Sequence, residues 1–224
     1  MKKVMVIAVV LLVAMPVVAA NKTQLTYSPV SRYHGMETFG DRYVHPGVSS
    51  TIEGIDVGAV THYENNADDL KYWDTRVGAA VPIEGVALRA GYGYLLLPNG
   101  MDVQEISATL GLPLGLRYTL AHAIPDNAKS GQVHILGIDY PFGDPNAMSG
   151  ILSVEVEYND GVNPGLFDGP LIRDFTHLTA GLQINVPVGD MILQPGVVYQ
   201  HTFEESIEPD KNEVWYTVGV QYKF

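Results

Sequence analysis

No stretch constrains the fold more than the last eleven residues, Val214 to Phe224, which read Val-Trp-Tyr-Thr-Val-Gly-Val-Gln-Tyr-Lys-Phe. Val214, Tyr216, Val218, Val220, Tyr222 and Phe224 fall on one face, and Trp215, Thr217, Gly219, Gln221 and Lys223 on the other. Alternation with period two predicts a strand with one apolar side. Here the apolar side runs to the carboxyl terminus and finishes on an aromatic ring. A soluble sheet rarely leaves such a residue unsheltered, whereas a strand facing lipid is apolar over its whole height with aromatics at the interface.

The first twenty residues carry a second constraint. Lys2 and Lys3 precede a short apolar core that ends in Val18-Ala19-Ala20. A basic start, an apolar core and small residues at −3 and −1 predict a secretory signal peptide over residues 1–20, cut before Asn21. A membrane-anchoring helix is the alternative, and Pro16 and the cleavage site argue against it. No later stretch approaches the roughly 20 unbroken apolar residues of a spanning helix, so residues 21–224 enter a membrane as strands or not at all. Losing Lys2 and Lys3 takes the net charge from −12 to about −14, which argues against nucleic acid as a partner. The absence of cysteine fits an exported protein without disulfides, and 13 tyrosines against two tryptophans favour positions apolar on one side and wet on the other.

Between the ends, short and long connections alternate. Ile52-Glu53-Gly54-Ile55, Ile83-Glu84-Gly85-Val86 and Val188-Gly189-Asp190-Met191 predict two-residue hairpin turns, and Pro113-Leu114-Gly115 a three-residue one with Gly115 left-handed. Longer polar connections run from Met36 to Arg42, Glu64 to Lys71, Pro98 to Asp102, Pro125 to Gly131, Asn159 to Asp174 and Glu204 to Asn212, with Gly143 to Met148 intermediate. The strands between them are expected at 23–34, 44–52, 55–63, 72–83, 86–97, 103–112, 116–124, 132–142, 150–158, 175–188, 191–203 and 213–224. The expected fold is all-β, a twelve-stranded antiparallel transmembrane β-barrel, or ten strands if the first two, interrupted by Pro29 and Pro46, do not form. Sorting short turns to one end and long loops to the other suits periplasmic and outer faces.

Each strand supplies a candidate lipid face. Leu152, Val154, Val156 and Tyr158 oppose Ser153, Glu155 and Glu157, while Leu88, Ala90, Tyr92 and Tyr94 oppose Arg89, Gly91 and Gly93. Leu178 to Val188 and Val77 to Ile83 repeat the pattern. A one-residue slip would turn every charge towards lipid. Outward aromatics are expected at the long-loop end (Tyr33, Tyr63, Trp73, Tyr94, Tyr158, Phe203, Tyr216) and the other end (Tyr140, Tyr222, Phe224).

Thr217, Gly219, Tyr222 and Phe224 resemble the closing-strand signal of bacterial outer-membrane β-barrels. That resemblance implies reading by the barrel-assembly machinery and pairing with the first strand. Ser31-Arg32-Tyr33-His34-Gly35-Met36 and Pro46-Gly47-Val48 are similar to the opening strands of porin-like outer-membrane proteins, with His34 where an aromatic is usual. The resemblance implies a Gram-negative outer-membrane location and a barrel architecture without naming a substrate.

The inward positions are mostly glycine, serine and threonine, so twelve strands leave room for a narrow aqueous path. Arg76, Arg89 and Arg117 are expected on one wall of that path and Asp139, Glu155 and Glu157 on another. Opposed walls would sort small polar or charged solutes, whereas internal salt bridges among the same six would plug the barrel. His34, His45 and His62 point inward near the outer rim, where imidazole suits zinc, copper or nickel; no carboxylate is fixed beside them by spacing, so no metal or other cofactor is expected. His177 with Thr179, and Asp56 near His62, form no nucleophile–base–orienter set, and Gly-x-Ser-x-Gly is absent, so no enzyme is expected. The acidic outer loops (Asp68, Asp69, Asp160, Asp168, Asp174, Glu204, Glu205, Glu208, Asp210) are solvated or bridged by cations to lipopolysaccharide phosphates. The loop from Asn159 to Asp174 is the candidate to fold inward as a constriction. The function expected is a small passive channel for polar solutes, in contact with outer-membrane lipid and lipopolysaccharide. The alternatives are a closed barrel serving as anchor or surface-recognition protein and, further off, a lipid-modifying enzyme.

Overall fold

Two tight turns hold the sheet in register. Gly85 and Gly189 sit at φ of 75° and 61°, left-handed values that glycine adopts at no steric cost. They set Ile83 opposite Val86 and Val188 opposite Met191, as the alternation requires. The computed structural model describes residues 22–28, 32–33, 36–37, 43–52, 55–64, 73–83, 85–96, 102–126, 129–144, 147–162, 172–203 and 212–223. The expected signal peptide, most of the long connections and Phe224 lie outside them.

The described strands are β1 (Lys22–Ser28), β2 (Arg32–Tyr33), β3 (Met36–Glu37), β4 (Tyr43–Ile52), β5 (Ile55–Glu64), β6 (Trp73–Ile83) and β7 (Val86–Leu96). They continue as β8 (Asp102–Gly111), β9 (Leu116–Pro125), β10 (Gly131–Gly143), β11 (Ser149–Asp160), β12 (Arg173–Val188), β13 (Met191–Thr202) and β14 (Asn212–Lys223). From β4 to β14 each pairs antiparallel with its neighbours in the chain. β1 lies between β14 and β4 and pairs antiparallel with both. Among the described residues twelve strands thus join in one closed barrel, with β2 and β3 a separate two-stranded sheet. No described helix is long and apolar enough to cross a membrane.

The opening strand corrects the expectation of one run over 23–34. β1 stops at Ser28, and Arg32–Tyr33 pairs with Met36–Glu37 outside the barrel. Pro29 follows Ser28 directly; proline has no N–H to give the ladder and a fixed φ, which ends the strand. Between β8 and β9 the turn takes left-handed values at both Leu114 (φ 66°) and Gly115 (φ 77°). Gly115 was expected there and Leu114 was not.

Exposure alternates along the wall. Ile106, Leu136 and Tyr216 are 55%, 50% and 71% exposed on the outside, while Glu105, Gly137 and Glu157 are buried on the inside. Tyr140 and Tyr222 are exposed towards the short-turn end, and Phe203 and Tyr216 towards the long-loop end. The side chains of Tyr33, Tyr63 and Trp73 lie outside the described set.

The buried apolar residues are few and gathered. Among the described residues they are Leu95, Val103, Ala121, Ala123, Val133, Val162 and Ile172. The first five occupy inward positions at the long-loop end of β7 to β10, where Leu95 faces Val103 and Ala121 faces Val133 across the ladder. Val162 and Ile172 flank the connection between β11 and β12, tied by Gly161 N–H donating to Ile172 C=O at 2.7 Å. An apolar layer therefore lines the inner wall of β7 to β10 at the outer mouth, beside buried polar residues such as Glu105 and Asn159.

Candidate functional site

The interior wall repeats one device. Arg76 on β6 faces Gly93 on β7, which faces Glu105 on β8, and Arg76 Nη1 donates to Glu105 Oε1 at 3.1 Å. Arg117 on β9 faces Gly137 on β10, which faces Glu155 on β11. Arg117 Nη2 donates to Glu155 Oε2 at 2.7 Å and its Nε to Asp139 Oδ2 at 3.1 Å. In each case a guanidinium passes over a glycine to a carboxylate two strands away. A Cβ on Gly137 would stand 2.9 Å from the Arg117 guanidinium carbon, so any side chain there would push the crossing guanidinium aside.

This arrangement corrects the expectation of a basic wall facing an acidic one. Arg117 belongs with Asp139 and Glu155, and Arg76 is bound to Glu105, a residue the sequence reading missed. Arg89 alone of the three arginines has no carboxylate within ion-pair distance among the described residues. Glu157, 2% exposed, lies among different partners: Thr176 Oγ1 is 3.2 Å from its Oε1 and 3.1 Å from His177 Nδ1. A bulge shifts the β11–β12 register between Glu157 and Tyr158 and brings Thr176 inward beside His177. Thr176, His177, Gln200 and Thr202 are all buried beside it.

Below the apolar layer the interior opens into a cavity of about 650 Å³. Its lining runs from Lys22, Ser50 and Arg89 near the short-turn end to Arg76, Glu105 and Ala121 near the layer. Ser107, Thr109 and Thr119 add hydroxyls, with Thr109 and Thr119 bonded to each other at 2.8 Å. A second hollow of about 210 Å³ is bounded by Ser153, Gly181, Gln183, Gly196 and Thr217. Lys22, Arg76 and Arg89 outnumber Glu105 on the larger cavity's lining, so its field favours negative charge.

The remaining candidates separate. Of the closing-strand residues, Gly219 pairs with Thr26 of β1, Thr217 faces the interior hollow, Tyr222 faces outward, and Phe224 lies outside the described residues. His34 also lies outside them. Val44 opposite Tyr63 and Gly47 opposite Val60 frame His45 and His62 without a ladder pair at those two. No group of three or more metal-binding side chains occurs among the described residues. Of the acidic loop residues, Asp160 pairs with Arg173 at 3.1 Å and Asp174 accepts from the Phe175 N–H at 2.7 Å.

No known protein family and no curated protein matches the sequence. Solved structures do. The KdgM porin is 13% identical over 91% of this chain and 99% of its own, with a TM-score of 0.51. The NanC porin is 11% identical over 91% and 99%, with a TM-score of 0.52. LpxR from Salmonella typhimurium is 7% identical over 91% and 100%, with a TM-score of 0.56. At such identities the likeness carries the fold alone, and two of the three are porins. The chain has the fold of a porin-like bacterial outer-membrane β-barrel, as the closing strand and the sorted turns led us to expect.

Proposed function

We propose that the protein spans the outer membrane as a twelve-stranded barrel and acts as a small passive channel for polar solutes, taking small anions more readily than cations. The observation that carries this reading is the interior cavity of about 650 Å³ lined by Lys22, Arg76, Arg89 and hydroxyls. A barrel serving only as an anchor has no need of a charged, hydroxyl-lined hollow with one arginine left uncompensated. Residues that contact the passing solute are then Arg76 and Arg89 on the wider path, with Arg117, Asp139 and Glu155 on its far wall; Glu157, buried against Thr176, supports that wall from behind. Thr217, Gly219, Tyr222 and Phe224 serve assembly, and neither cofactor nor chemical step is involved. Single-channel recording of the detergent-purified chain in planar bilayers tests the proposal. Discrete conductance steps with a reversal potential on the anion side support it; current no greater than protein-free bilayers overturns it.

A second reading draws on the apolar layer at the outer mouth. Leu95, Val103 and Val133 are at most 3% exposed, and water or a hydrated solute crosses such a layer only if it yields. A closed barrel presenting its loops for surface recognition fits that seal, and the same recording decides between the two.

A further inference from the structure

The outward face of β8 to β10 is not apolar over the height a membrane requires. On β8 the outward side chains run Asp102, Gln104, Ile106, Ala108 and Leu110 from the long-loop end downwards. Ile106 to Leu110 covers about 10 Å of depth, taking about 3.3 Å per residue and a tilt of about 40°, against the ~25 Å of a barrel's apolar band. His122 on β9, opposite Ile106, and Gln132 and His134 on β10 continue the polar patch sideways. These groups therefore sit where hydrocarbon would otherwise begin, and polar groups there must find partners.

The protein itself supplies only some of them. Tyr94 O–H donates to Asp102 Oδ2 at 2.6 Å and Tyr92 O–H to Gln104 Oε1 at 3.3 Å. Tyr118 Oη and His134 Nδ1 are 2.7 Å apart, which commits that nitrogen and leaves Nε2 for an outside partner. His122 Nδ1 and Asp102 Oδ1 are buried atoms with no hydrogen-bond partner among the described residues, which leaves the other ring nitrogen of His122 as its group for an outside partner. Beside them Tyr118, His134, Tyr158 and Phe175 form a row of rings at centroid spacings of 6.2, 6.1 and 5.3 Å.

We propose that this face docks one phosphorylated glycolipid headgroup of the outer leaflet. The inference rests on the membrane-spanning reading of the barrel. Imidazole N–H groups of His122 and His134 meet the phosphate, an acceptor. Gln104, one strand across and two residues up from His122, or about 8 Å away, accepts from sugar hydroxyl or amide groups. The acyl chains then lie on Ile106 and Leu136, and the exposed Lys129 above the same hairpin adds positive charge. A simple phospholipid offers the phosphate without the sugar donors, so it answers half of the patch.

Native mass spectrometry of the full chain in detergent, with bisphosphorylated lipid A, its dephosphorylated form and phosphatidylglycerol supplied in turn, tests the proposal. Lipid A should be retained at least tenfold more than either comparator. The double substitution His122→Phe and His134→Phe, which suits a lipid-facing surface, should bring the three to parity while the heat-modifiable gel shift reports a folded barrel. Equal retention of all three lipids by the wild-type chain, or an unchanged preference in the double variant, overturns the docking site. Failure of the membrane reading itself shows separately, as a chain that stays monodisperse without detergent.

Discussion

Arg117 and Glu155 sit on strands that are not neighbours, yet their side chains meet at 2.7 Å over Gly137. The contact exists because the intervening strand has no side chain at that point. Gly137→Val should therefore destabilise the barrel in the wild-type chain and cost much less once Arg117→Ala has removed the crossing guanidinium. A coupling energy of about 1–2 kcal/mol is expected for groups in direct contact, read from urea midpoints of the four chains in one detergent. Additive effects would mean the two residues do not share that space.

Removing the arginine alone has a different signature. Arg117→Gln leaves Asp139 and Glu155 facing each other without a cation. Both carboxylates are partly exposed, so the loss should fall nearer the surface-pair value of 0–1 kcal/mol than the buried-pair value of about 3–5 kcal/mol. Permeability should shift towards cations.

Arg89 is the cleaner lever on selectivity. It breaks no ion pair among the described residues, so Arg89→Glu should fold normally. Its reversal potential in a salt gradient should move towards the cation side by more than that of Arg89→Gln. Equal potentials for wild type and both variants would remove Arg89 from the solute path.

The apolar layer should control the size of the current. Val103→Ser and Val133→Ser both wet the inner face of the outer mouth, and each should raise conductance while lowering stability by about 1–3 kcal/mol, the cost of burying an unpaired hydroxyl. Unchanged conductance in both would place the narrowest point elsewhere.

On the outside, Leu136→Arg should cost about 2–4 kcal/mol if that position lies near the middle of the hydrocarbon. The comparison is Ser107→Arg on the lumen side, which meets water and should cost far less. Folding yield into vesicles of one lipid composition measures both.

Much of the wall was legible because each strand meets two solvents, and that imposes a period of two that no other element imitates. The turns at Gly85 and Gly189 followed from their composition. The first strand was misread because the alternation from Thr23 to Tyr33 continues through Pro29, and only the missing N–H tells that the ladder stops. Glu105 was overlooked although the register already placed it in a row with Arg76 and Gly93; the row had to be followed across three strands, not along one. The apolar layer was harder. Leu95, Val103 and Val133 read as ordinary lumen positions, and only their near-complete burial in the structure marks them as packed.

The bulge at the β11–β12 pairing has its own consequence. Below it odd-numbered residues of β12 point inward; above it Phe175, also odd, points out, 52% exposed. Thr176 is the extra residue that changes the reading frame of the strand. Deleting it would leave an unbroken ladder with Phe175 still outward opposite Tyr158, and would remove the hydroxyl that lies between Glu157 and His177. Straightening the strand with Thr176 kept is what would turn Phe175 inward, so the irregularity holds the outer third of β12 in its frame.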